Sequence, residues 1–167
     1  MRELFTPHRS LRHFLGAGLI LALLAIPAGI ASAGEQYTDR QGRALNGYDP
    51  VTYFTDGTAQ MGVESITAEY NGASWWFVSE ADRELFLADP GHYAPAYDGH
   101  CAWALADGRK VRSDPQAWRI VNGRLYLNFN ADIQARWERD IPGNLERSEA
   151  NWPALEADPA ARPSRWF

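Results

Sequence analysis

The chain contains a single cysteine, Cys101, so no internal disulfide can form. In an oxidising compartment such a thiol is buried, metal-bound, paired with another chain, or reactive. Basic residues are also in deficit, with 16 Lys and Arg against 21 Asp and Glu. Nucleic acids and anionic membrane surfaces call for basic patches, so this balance argues against both as partners. No phosphate-cradling glycine-rich loop and no His-Glu-x-x-His pattern occurs. Nucleotide chemistry and zinc-dependent hydrolysis therefore have no foothold. No nucleophile motif surrounds Cys101, and the protein is expected not to be an enzyme. The apolar run over residues 14–30 is interrupted by Gly16, Gly18, Pro27 and Gly29. It falls short of the roughly 20 strongly apolar residues that a spanning helix needs.

What that run does resemble is the core of a secretory leader. Arg2, Arg9 and Arg12 precede it and Ala31-Ser32-Ala33 closes it, which gives a charged region, an apolar region and a small-residue cleavage site. Cleavage is expected after Ala33, leaving residues 1–33 as a signal peptide and the rest periplasmic or secreted, with no membrane attachment. No Arg-Arg pair precedes the run and Gly34, not cysteine, stands directly after the cleavage site, so twin-arginine export and lipid anchoring lose support. The leader carries three arginines against one glutamate, so the remainder is more acidic than the formal net charge of -5.

The 46% hydrophobic, 22% charged composition is that of an ordinary globular protein. Residues 34–44 are polar and read as a linker, 45–155 as the domain, and 156–167 as a flexible tail. Val51-Thr52-Tyr53-Phe54 reads as a short strand. Residues 66–70, Asn71-Gly72 and residues 74–78 form a hairpin signal, because Asn-Gly supplies the positive φ angles of a type I′ turn. Ser79 then caps a helix, with Asp82 at the capping-box position and Asp89-Pro90 at its end. The same grammar returns in residues 118–121, Asn122-Gly123, residues 125–129 and Asn130 as the cap of a helix carrying Ile133 and Trp137. Asn71 and Asn122, Trp75 and Tyr126, Ser79 and Asn130, Phe86 and Trp137, and Asp89 and Asp140 all stand at one offset of 51. The expected fold is α+β, a small antiparallel sheet built from two hairpin-plus-helix units with helices packed on one side.

Gly47-Tyr48-Asp49-Pro50-Val51, Tyr70-Asn71-Gly72, Trp76-Phe77-Val78-Ser79 and Asp89-Pro90-Gly91-His92-Tyr93 occur in that order. With Tyr97-Asp98-Gly99-His100-Cys101, Leu125-Tyr126-Leu127-Asn128 and Asn151-Trp152-Pro153, they resemble the YHS domain family, in particular its exported stand-alone bacterial members. The resemblance implies a binding domain associated with soft or transition metals, copper being favoured. Metal-handling YHS domains carry thiolate ligands where this chain has Thr52, Val78 and Asp82, so that chemistry does not transfer at those positions. The soft donors remaining are Cys101, His92, His100 and, more remotely, Met61.

Cys101 with His92 is the easier ligand pair, since Pro95 and Gly99 let the chain double back between them. His100 and Cys101 are adjacent, and if Cys101 opens a strand over 101–106 they point to opposite faces. Against this stands a non-metal ligand- or protein-binding module in which Cys101 is a small buried hydrophobe beside Ala102 and Trp103. A homodimer through Cys101 is a further possibility. Asp49 and Tyr97 are candidate site residues within the family-like motifs, although Asp49, before Pro50, is first of all a turn former. The placement of the sulfur separates the readings: open and near an imidazole for metal, enclosed for the module.

Overall fold

Asn71 and Gly72 adopt φ of 49° and 72°, the left-handed conformations that reverse a chain within two residues. The computed structural model describes residues 34–163, so the leader expectation lies outside the described residues. The turn joins β1 (Val63–Tyr70) to β2 (Ala73–Phe77) in antiparallel pairing. Alternation along β2 buries Ala73, Trp75 and Phe77 on one face. The Ser79 side chain accepts from the Asp82 N–H at 3.1 Å and opens α2 (Glu80–Ala88), satisfying one of the orphan donors of a helix start. Phe86 on α2 lies over Trp75 and Phe77, with ring centroids 4.9 and 5.4 Å away. Asp89 then caps α3 (Pro90–Tyr93).

The second pass repeats this at residue level. Asn122 and Gly123 have φ of 50° and 76° and join β3 (Asp114–Val121) to β4 (Arg124–Asn128). Asn130 accepts from the Ile133 N–H at 2.9 Å and opens α5 (Ala131–Trp137). The pairs Thr67↔Trp76, Ala68↔Trp75, Glu69↔Ser74 and Tyr70↔Ala73 have counterparts in Trp118↔Leu127, Arg119↔Tyr126, Ile120↔Leu125 and Val121↔Arg124. Both hairpins slip at one place, between Val63 and Thr67 and between Asp114 and Trp118. Every pair keeps the offset of 51, irregularity included. The architecture is α+β, and the hairpins form two separate two-stranded sheets.

The repeat reaches further upstream than the sequence suggests. Leu45, Asn46 and Gly47 are left-handed, with φ of 51°, 52° and 86°, and so are Tyr97, Asp98 and Gly99, with 57°, 50° and 78°. Each left-handed loop is followed by a short helix, α1 (Thr52–Thr55) or α4 (Ala102–Ala106). Both segments were expected as strands. Residues 51–54 have strand composition, but the Asp49 carboxylate accepts from the Val51 N–H at 2.8 Å and turns the chain into a helix; local context overrides strand propensity. Residues 102–106 are four parts Ala and Leu, strong helix formers.

α6 (Ile141–Leu155) has Pro142 in its first turn, where a missing N–H is harmless. The α6 side chains Ser148 and Asn151 donate to the Ala102 and Leu105 carbonyls at 3.0 and 2.9 Å, tying α6 to α4. β4 is buried on both faces. Leu125 and Leu127 join a core with Tyr53, Trp75, Phe77 and Phe86, while Tyr126 joins a second core with Tyr97, Leu105 and Trp137.

The flanking segments also depart from their sequence reading. Within the polar residues 34–44, Tyr37 is buried and its N–H donates to the Asp98 carbonyl at 2.8 Å. Thr38 bridges to Ala44 and Arg43 to Ser74. Residues 156–163, the described part of the expected tail, are tied to the domain: Lys110 donates to the Glu156 and Asp158 carbonyls, and the Ala161 N–H donates to His100. The Tyr97-Asp98-Gly99 loop and its neighbours supply backbone groups that these polar segments satisfy, which composition alone does not reveal.

Candidate functional site

Asp49 and Cys101 follow the two left-handed loops at equivalent places. Asp49 is fully buried. One carboxylate oxygen accepts from the Val51 N–H at 2.8 Å and the other from the Val78 N–H at 2.7 Å, joining the start of α1 to the strand-to-helix junction. Burial pushes the Asp49 carboxyl up to about 6; the two N–H groups pull it down and neighbouring Asp82 raises it further. The Thr52 hydroxyl, which donates to the Asp49 backbone carbonyl at 3.2 Å, the Val78 N–H and Asp82 are thus gathered about Asp49.

Cys101 does the same work in the second unit. The residue is 1% exposed, and burial raises the thiol pKa, opposed by the backbone N–H groups of Ala104, Phe129 and Trp103. Trp103 and Phe129 are the counterparts of Val51 and Val78. Asn128 Oδ1 accepts from the Trp103 N–H at 3.3 Å and lies 3.9 Å from the sulfur as acceptor of its S–H. A buried thiol with a raised pKa stays protonated in the metal-free protein and is a poor nucleophile.

His100 is fully buried and both ring nitrogens are engaged. Nε2 accepts from the Ala161 N–H at 3.1 Å, so Nδ1 carries the proton and donates to the Tyr97 carbonyl at 2.8 Å. Burial lowers its pKa to about 4, with Lys110 acting in the same direction and the Tyr97 carbonyl opposing. No lone pair is left for a metal. His92 sits on the exposed side of α3, its ring 4.7 Å from both Phe54 and Tyr93. Met61 is 51% exposed and bridges through its backbone to Tyr48. The Tyr97 hydroxyl donates to Glu149 Oε1 at 2.9 Å, and burial followed by Glu149 raises its pKa.

The proposed ligands therefore have separate surroundings and separate partners. No group of three or more His, Cys, Asp and Glu able to hold a metal ion occurs among the described residues. The donor set does not fit a soft-metal centre. An intermolecular disulfide through Cys101 would likewise require the sulfur to be uncovered first.

One cleft escaped the sequence reading. It measures about 600 Å³ and is lined by Trp103, Arg136, Arg139, Asp140, Asn144 and Arg147. Arg136-x-x-Arg139 in an acidic chain was the available signal; Arg147 and Trp103 join it only through packing. No protein family, curated protein or solved structure matches the chain.

Proposed function

We propose that this protein is an exported, non-catalytic binding domain that recognises its ligand without a metal, and that Cys101 is a structural residue. The observation that carries the reading is the equivalence of Cys101 to Asp49. Each follows a left-handed loop and opens a short helix, and each is buried where that helix start meets the strand-to-helix junction, Asp49 at Val78 and Cys101 at Asn128 and Phe129. The lone thiol thus has a complete structural occupation. His100, with both nitrogens committed, supports the same reading. The leader-like N-terminus and the resemblance to exported stand-alone YHS proteins support the location.

The test is a cuprous-ion titration under reducing conditions, with wild type beside Cys101→Ser. Equal and weak binding by both is the expected result, and stoichiometric copper lost in the variant would overturn the reading. Cys101→Ser should instead lower stability, by about 1–2 kcal/mol in urea unfolding, because the shorter, more polar hydroxyl fits the enclosed sulfur position poorly.

A further inference from the structure

Arg136 and Arg139 stand three residues apart on the turn leaving α5, and Arg147 faces the same cleft from α6. Like charges at that helical spacing repel one another. The chain is acidic overall, yet none of the three forms an ion pair among the described residues. Arg147 is held in place: its Nη2 donates to Asn144 Oδ1 at 2.6 Å, and Asn144, 1% exposed, anchors itself through Nδ2 on the Trp137 carbonyl at 2.9 Å.

The acid on the cleft, Asp140, forms no ion pair with the arginines. It accepts from the Gly143 N–H at 3.0 Å as the cap of α6. A Cβ at Gly143 would collide with that carboxylate, so the glycine lets Asp140 fold onto its own helix. Three guanidinium forks remain, with half-buried Trp103 as the flat wall. The volume is that of a small-molecule site, where about 300–1,000 Å³ is usual.

We infer that the Arg136–Arg139–Arg147 cleft binds a small phosphate monoester whose flat body lies against Trp103. Three cations opposed by one carboxylate match a group of charge near -2 with three acceptor oxygens. A carboxylate, with two oxygens and one charge, would leave a fork unused. The inference rests on the reading of the protein as a metal-free binding domain and names the ligand class for it.

Calorimetry with phenyl phosphate, inorganic phosphate and benzoate tests it on the full mature chain. Phenyl phosphate is expected to bind most tightly, and its affinity to fall with added salt. Arg136→Gln with Arg139→Gln should weaken it at least tenfold, as should Arg147→Gln, without change in melting temperature, since these arginines are exposed. Trp103→Leu should weaken phenyl phosphate while leaving inorganic phosphate unchanged; this internal comparison holds even if the variant is less stable. Absence of phenyl phosphate binding, indifference to the arginine substitutions, or benzoate binding as tightly would each overturn the inference. If copper is also not bound, the metal-free reading survives that failure; stoichiometric copper binding lost in Cys101→Ser would remove the reading itself.

Discussion

His100 and Asp49 are buried titratable groups shifted in opposite senses, and their effects on stability oppose each other. His100 holds a pKa of about 4 when folded against 6.5 when unfolded. The unfolded chain therefore binds more protons in that interval, and the His100 contribution, complete above pH 6.5, is lost as pH falls towards 4. Asp49 sits at about 6 folded against 3.8 unfolded. Its contribution is complete below pH 3.8 and is lost as pH rises through 6. Asp98, also raised by burial, acts on the same side as Asp49. Urea midpoints between pH 4 and 6 should therefore separate two variants. His100→Gln should become less stable, relative to its own value at pH 4, as pH rises; Asp49→Asn should shift the slope towards greater stability at higher pH. Parallel pH profiles for the two variants would show that neither group titrates as its burial requires.

At the scale of elements, the two Asn-Gly turns were legible because their information is local: two residues fix the conformation and the alternation beside them fixes the buried face. Gly72 and Gly123, with φ of 72° and 76°, have open space where a Cβ would go. Gly72→Val and Gly123→Val should therefore cost about 1–2 kcal/mol each through backbone conformation alone. Gly62→Ala should be worse than either, despite adding a smaller side chain, because its Cβ would lie 2.5 Å from the Trp76 carbonyl carbon. Thermal unfolding of the three variants gives the order directly. The short helix α1 was not legible, since the Asp49 carboxylate decides it, whereas α4 carried a helix signal in its Ala and Leu residues that the strand reading passed over. The kinship of Asp49 and Cys101 was hidden by arithmetic: they stand 52 apart, one residue out of step with the hairpins. The arginine cleft was hidden for another reason, because only packing of α4, α5 and α6 brings its residues together.

Across the whole molecule, the two units share a wall. Leu125 and Leu127 of the second hairpin complete the core around Trp75 and Phe86, while Tyr126 between them faces the other core. A two-stranded hairpin with three short helices, its core left open where Leu125 and Leu127 pack, buries too little to stand alone. The fragment 45–94 should therefore be unfolded by circular dichroism, and the intact domain should melt in one transition seen alike by tryptophan fluorescence and far-ultraviolet signal. Two separated transitions would mean that the cores are independent.

Glu35 and Ala160 are hydrogen bonded at 2.9 Å, which places the two flanks of the domain side by side. Topologically the described chain is close to a ring. Join residue 163 to residue 34 through a short flexible linker and open the chain between Ala94 and Pro95, where proline has no N–H to lose, and the second unit is synthesised first. Every contact between the copies could then be retained. For a molecule of this kind, which copy is first and which is second is a property of where the polypeptide is cut, and not of how it is packed.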